Sequence, residues 1–267
     1  MAEYYNTYKL STMARTLADC MEIDLPDEYN AGLPWLSALL KQRLGGKPDK
    51  VIVYHADAVG QYIWQKYTSL FVPVYKHTSL CVPFVSTVMS VTPVAHASMY
   101  TGLEPEQHGI QTYVRPRLEC STLYDVLLEK GKMPVILAQD DSTFLHIFSG
   151  RSLPYYEEPN AVLIQKKAQE LLREDNFDFL SIHTFDYDNA AHHYGPESKE
   201  ALNAISIEAQ GFADIAEYIK KNWSGKYRTL LIYAPDHGQH LTDGGTGSHG
   251  SMMTEDMNIL HFYGVFD

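Results

Sequence analysis

Three short clusters of carboxylate and imidazole side chains carry the chemistry of this chain: Asp188-x-x-x-His192 in DYDNAAHHYG, Asp236-His237 in YAPDHGQ, and His249 in GSHG. A fourth acid, Asp57, follows the first strong apolar run, and a hydroxyl, Thr92, sits in SVTPVAHASMYTG. Oxygen and imidazole donors in such clusters suit a pair of divalent cations, zinc first, with manganese or iron as alternatives. On a helical turn Asp188 and His192 stand at i and i+4, project from one face and can share one ion. Asp186 and His193 beside them compete for the same role, each from a different side. Asp236 and His237 can converge on one ion in a turn after a strand, with Gly238 letting the backbone bend sharply. An N-capping Asp with a solvent-facing His remains the alternative for that pair. His249 lies in a glycine-rich loop able to carry an imidazole back over the site. Thr92 is a poor nucleophile at neutral pH unless a bound cation stabilises its alkoxide; before a proline it also reads as a simple turn residue.

These side chains need a frame, and the apolar pattern supplies one. KVIVYHA (50–56), MPVILAQDD (133–141), FDFLSIHTF (177–185) and YRTLLIYAPD (227–236) are β-branched or aliphatic runs expected as buried strands. Between them, QYIWQKYTSLF, STLYDVLLEKGK, NAVLIQKKAQELLRED and the long ESKEALNAISIEAQGFADIAEYIKKNW read as helices, the second with Ser121 or Thr122 as N-cap and Gly131 as its stop. Strands alternating with amphipathic helices predict a mainly parallel sheet covered on both faces. On that frame Asp57, Asp186 with Asp188, and Asp236 with His237 all fall just beyond the carboxyl ends of strands, where open α/β sheets place their ligands. The first 45 residues depart from the alternation and read as two helices, STMARTLADCMEI and GLPWLSALLKQRLGG, packed outside the sheet or over one rim of the site.

Composition narrows the function. With 33 acidic and 21 basic residues the formal charge is −12, which disfavours non-specific nucleic-acid binding. A protein this acidic needs bound cations to attract phosphate esters. Gly245, Gly247 and Gly250 spell GxGxxG, but no strand-to-helix unit surrounds them, which argues against a dinucleotide site. Three cysteines without a CxxC pair, no signal-like start and no long apolar stretch give the expectation of a cytoplasmic protein with free thiols and no membrane partner.

Taken in order, the segments resemble the alkaline phosphatase superfamily, and within it the nucleotide pyrophosphatase/phosphodiesterase branch. TPVAHASMYTGLEPEQHGI places Thr92, His96, Ser98, Thr101, Gly102, Pro105, His108 and Gly109 in that branch's register. Asp188, His192, Gly195 and Pro196, then Asp236, His237 and Gly238, then His249 and Gly250 continue the match. The resemblance implies that Asp188, His192 and His249 hold one metal, that Asp57, Asp236, His237 and Thr92 hold the other, and that Thr92 attacks phosphorus to give a phosphothreonine later hydrolysed by water. Two departures stand out. The branch's asparagine, a donor to a non-bridging oxygen, is replaced here by Ala95, and its Asp-Gly after the first strand is Asp57-Ala58. CVPFV begins like the Cys-x-Pro-x-Arg motif of sulfatases, but Val85 stands where arginine is required.

The resulting expectation is an alkaline phosphatase-like α/β domain over 46–267 with an N-terminal helical extension over 1–45. Its activity would be metal-dependent hydrolysis of a small phosphorylated substrate, diester or monoester, with two divalent ions, zinc or manganese. The alternatives are a phosphonate hydrolase or phosphomutase of the same superfamily, or a non-catalytic member that binds a phosphorylated ligand.

Overall fold

The computed structural model describes residues 4–267, so of the N-terminal segment residues 1–3 lie outside the described residues. Its centre is an eight-stranded sheet of β1 (Tyr8–Lys9), β2 (Lys50–Ala56), β3 (Leu80–Val85), β4 (Pro134–Gln139), β5 (Tyr155–Glu158), β6 (Phe179–Thr184), β7 (Thr229–Tyr233) and β10 (Asn258–Phe266), in the spatial order β1-β3-β10-β7-β2-β6-β4-β5. Two short strands, β8 (His240–Leu241) and β9 (Gly247–Ser248), form a separate antiparallel pair. Neighbours in the main sheet run parallel except β10, which is antiparallel to both β3 and β7.

All four strands expected from aliphatic runs are present and buried along their whole length. Residues that alternate along a strand face opposite sides of the sheet. Val51 and Val53 accordingly join one apolar cluster, Ile52 and Tyr54 the other. The first cluster includes buried residues of helices Met13–Met21, Pro34–Leu44, Thr92–Thr101, Leu123–Glu129 and Thr143–Phe148. The second includes residues of Gln61–Lys66, Ala161–Glu174, Asp186–Tyr194 and Lys199–Asn222. Helices on both faces of a mostly parallel sheet is the expected fold class.

Local chemistry explains the element ends. Thr122, one of the two expected caps, closes a capping box with Asp125, and Gly131 follows the helix at φ +69°. The 24-residue helix Lys199–Asn222 starts at Ser198, whose hydroxyl accepts from the Ala201 amide. Three strands depart from the sequence reading. β1 belongs to the segment read as helical and pairs Tyr8 with Phe84 and Lys9 with Val85. β3 contains Pro83, which normally argues against a strand; β1 stops short of it, leaving Pro83 where one side of β3 has no neighbour. β10 lies at the far end of the sequence and gains its place only through long-range pairing.

Candidate metal centre

The strand ends place the functional groups. The ladder between β2 and β6 continues past Ala56, where the Asp57 amide donates to the Thr184 carbonyl, 2.9 Å. This fixes Asp57 at the carboxyl edge. Ala58 then turns at φ +64°, a conformation glycine adopts without steric cost. Its amide donates to Asp236 Oδ1, 3.2 Å, tying the ends of β2 and β7 together. Asp236 Oδ1 also accepts from the His237 amide, 3.0 Å, while Oδ2 is buried without a hydrogen-bond partner. Gly238 is required for proximity and not for a left-handed turn: a Cβ there would lie 2.0 Å from the Glu255 carbonyl oxygen and 2.7 Å from Gly60 Cα.

Thr92 is the first residue of helix Thr92–Thr101, with Pro93 in the first turn, so the turn reading gives way to a helix N-terminus. That position favours negative charge at the hydroxyl or a bound phosphate. Its Oγ1 lies 3.2 Å and 3.5 Å from the Asp57 carboxylate oxygens and 3.3 Å from His237 Nε2. Asp188 and His192 lie on helix Asp186–Tyr194, with Nε2 of His192 3.4 Å from Asp188 Oδ1; His249 Nε2 lies 3.5 Å from the same oxygen. The two sets, Asp57 with Asp236 and His237, and Asp188 with His192 and His249, each converge tightly enough to share an ion. They adjoin one another, the His237 and His249 rings stacking at 4.2 Å.

All three imidazoles are oriented alike. Nδ1 of His192 contacts the Gly247 carbonyl at 3.0 Å, Nδ1 of His237 the Gly238 carbonyl at 3.0 Å, and Nδ1 of His249 the Ser90 carbonyl at 3.1 Å. A carbonyl only accepts, so each Nδ1 carries a proton and each Nε2 is the nitrogen turned to the carboxylates. Metal-ligating histidines are held in this way. Together with the orphan Oδ2 of Asp236, the donor set fits two divalent cations.

The competing candidates separate cleanly. Asp186 accepts from Gln139 Nε2 at 2.7 Å and from the Ala161 amide at 3.1 Å, and His193 is exposed and bonded to its own helix. Neither joins the convergent sets. Two histidines without a role in the sequence reading back the carboxylates. His183 Nε2 is 3.2 Å from Asp57 Oδ2, and His96 Nε2 is 3.4 Å from Asp236 Oδ2. The signal for His183 was its place on β6, in register with His55 of β2.

Burial dominates the electrostatics. It raises Asp57 well above the usual carboxylate range, reinforced by the charges of Asp236 and Asp188, and pushes Asp236 up to about 7. Burial opposes ionisation of Asp188 too, but the hydrogen bond from His192 outweighs it and holds that carboxyl low. Burial lowers His237, and lowers His249 to about 4. The Asp188 hydrogen bond raises His192 instead, so the carboxylates crowd against two neutral imidazoles and one that favours its protonated form.

A second buried acid lies behind it. Glu208 Oε1 accepts from the Tyr187 amide at 3.3 Å, and Oε2 has no hydrogen-bond partner. Burial, then the charge of Asp186, raises its pKa from 4.5 to about 8. The folded state therefore binds more protons than the unfolded one between those values, so this group costs stability as pH rises through the window. Glu208→Gln should raise the melting temperature by roughly 5 °C at pH 9, the effect of about 2 kcal/mol in a chain this size, and change it little at pH 5. An equal shift at both pH values, read by calorimetry, would contradict this assignment.

A cavity of about 490 Å³ opens over the site, lined by Asp57, Thr92, Asp188, His192 and His249, and by Met89, Tyr113, Arg115, Thr143 and Asn189. Ala95 is fully buried in the first apolar cluster and is not part of this lining. The missing donor at 95 therefore leaves the pocket wall intact; Tyr113, Arg115 and Asn189 supply polar hydrogens there. Cys81 sits in β3, outside the lining. A larger cavity of about 750 Å³ lies at the opposite strand ends. Its cations are already matched: Lys50 and Lys226 pair with Asp175, and Arg228 with Asp49. Among the described residues no helix is long and apolar enough to cross a membrane.

No family model matches the chain. It is similar to GPI ethanolamine phosphate transferase 1 of Neurospora crassa, 38% identical over 85 residues, and of Chaetomium globosum, 33% identical over 85 residues. That stretch is 32% of this chain but only 8% and 9% of those relatives. Among solved structures it resembles the C-terminal periplasmic domain of phosphoethanolamine transferase EptC from Campylobacter jejuni, with TM-score 0.61 and 14% identity over 82% of this chain and 80% of that one. It also resembles murine ectonucleotide pyrophosphatase/phosphodiesterase 5, with TM-score 0.58 and 18% identity over 73% and 58%. A TAB5 alkaline phosphatase variant with Mg bound gives TM-score 0.54 and 12% identity over 82% and 91%. The fold is alkaline phosphatase-like.

Proposed function

We propose that this chain is a metal-dependent phosphoryl-transfer enzyme that hydrolyses small phosphate esters through a Thr92 nucleophile. The observation that carries this reading is the common orientation of His192, His237 and His249, each with Nδ1 tied to a backbone carbonyl and Nε2 turned to a carboxylate. Asp188, His192 and His249 would hold one divalent ion, and Asp57, Asp236, His237 and Thr92 the other. Zinc suits these donors, with manganese as the alternative. When bound, the ions supply positive charge that stabilises the attacking and leaving oxygens.

The residues of the chain do the rest. Thr92 Oγ1 attacks phosphorus in line, the bond to the leaving oxygen breaks, and the hydroxyl proton passes toward Asp57, 3.2 Å away. The helix N-terminus at Thr92 favours the charge gathering on the phosphoryl oxygens. Water then attacks phosphorus, the bond to Thr92 breaks, and the hydroxyl is restored. Arg115 on the pocket wall, held by Asp141 at 2.8 Å, can donate to a non-bridging oxygen.

Elemental analysis tests the centre directly. Two transition-metal ions per chain are expected after metal-replete purification, and fewer than one sinks the two-metal reading. A second outcome for the phosphoryl group, transfer to an alcohol in place of water, is favoured by the similarity to proteins named as ethanolamine phosphate transferases. Adding an alcohol acceptor during turnover and measuring the ratio of phosphoester to inorganic phosphate distinguishes the two.

A further inference from the structure

We infer that Gln239 is a positioning residue for the ion of the Asp188 set, its side-chain amide holding the Asp188 carboxylate in the orientation that ion requires. The inference rests on the two-metal reading of the site and adds to it a residue outside both ligand sets. Gln239 follows Asp236, His237 and Gly238 in the chain and is fully buried. Its Nε2 donates to Asp188 Oδ1 and, at 3.2 Å, to the Asp188 main-chain carbonyl. A carbonyl and an ionised carboxylate only accept, so the amino half of the carboxamide must face them. Oδ1 is also the oxygen that His192 Nε2 approaches at 3.4 Å and His249 Nε2 at 3.5 Å. A carboxylate oxygen offers two lone-pair positions. The amide takes one and leaves the other for the ion that the two imidazoles share.

The same side chain meets the supports of the other two ligands. Its Oε1 packs so closely on Gly247 that a Cβ there would lie 2.3 Å from it. The Gly247 carbonyl is the group that fixes His192 Nδ1, at 3.0 Å. Gln239 leads directly into β8, whose His240 and Leu241 pair with Ser248 and Gly247 of β9, and His249 follows that strand. One carboxamide therefore sits where Asp188, the brace of His192 and the strand leading to His249 come together. Oε1 itself is buried without a hydrogen-bond partner. An unmet buried acceptor destabilises a fold, and an apolar side chain of the same length would avoid that cost. Packing alone would thus be better served by methionine or leucine, and what this position supplies is the amino half.

Metal binding tests this without turnover. Zinc titrated against a chromophoric chelator should give two dissociation constants in the wild type. Gln239→Met keeps the length of the side chain and lacks the donor. It should weaken one of the two sites by about 10- to 100-fold and leave the other within about 2-fold. In cadmium NMR of the cadmium-loaded protein, one of two resonances should move on this substitution, the same one that is lost in Asp188→Asn. A packing role would weaken both sites together or neither; either result overturns the inference, as does movement of the other resonance alone. Gln239→Asn, with the carboxamide withdrawn by one methylene, should show the same one-site loss and serves if Gln239→Met does not fold. In the wild type itself, the Gln239 side-chain amide signals should shift with the zinc equivalent that fills the Asp188 set and not with the other, and signals unmoved by both overturn the inference. A wild type that binds fewer than two zinc ions marks failure of the two-metal reading, a result obtained before any variant is compared.

Discussion

Thr92→Ala should lower kcat on aryl phosphate esters by about 10³-fold or more, with metal content unchanged at the Asp188 set. The hydroxyl is the proposed nucleophile: it begins a helix, is buried, and sits 3.2 Å from Asp57 and 3.3 Å from His237. Alanine is compatible with the helix start and deletes the hydroxyl together with one methyl group, so the fold should survive. Thr92→Ser should retain a measurable fraction, since it restores the oxygen without the methyl group that fixes its rotamer. A Thr92→Ala protein with wild-type turnover removes threonine from the mechanism and leaves direct attack by water. Intact-mass measurement on quenched wild type supplies an independent readout, a mass increase of one phosphoryl group that the alanine variant lacks.

Removing the metals should destabilise the folded chain by several kcal/mol, seen as a fall in melting temperature on chelation that zinc reverses. Asp57, Asp188 and Asp236 are crowded where burial already opposes charge, and burial drives His237 and His249 toward the neutral form. A cation that binds only the folded state stabilises it by about 4 kcal/mol at a thousand times its dissociation constant. The double variant Asp57→Asn, Asp236→Asn removes the crowding and the ligands together. Its melting temperature should lose most of its response to zinc and to chelator. If it responds like the wild type, these carboxylates are not where the metal acts.

Much of this centre was legible because strand ends and side-chain types agree. Runs such as Val51–Val53 and Leu230–Ile232 mark buried strands, and Asp57 and Asp236 fall at their carboxyl ends. The pairing of Asp188 with His192 followed from helical spacing. What was not legible depends on distant partners. Nothing local announces that Asn258–Phe266 inserts between β3 and β7, or that Pro83 is tolerated because β1 stops short of it. His183 and His96 look like ordinary core residues until the fold sets them behind Asp57 and Asp236. Ala95 illustrates the converse: a position read as facing the substrate lies in the apolar core, because helix Thr92–Thr101 is buried along its whole length.

β10 has a consequence for the order in which the site comes into being. Within the sheet, β1 and β3 are joined to the other strands only through β10. The segment after β3 carries Thr92, while Asp57, Asp188 and Asp236 follow strands on the other side of β10. A nascent chain that has not yet reached residue 258 can pair β2, β6, β7 and β4, but it has no strand to bind the nucleophile's half of the sheet to them. Pairings this distant in sequence form late, because the entropy of closing the intervening chain must be met first. The Thr92 hydroxyl and the carboxylates of Asp57, Asp188 and Asp236 are thus brought together only once Asn258–Phe266 has paired with both β3 and β7.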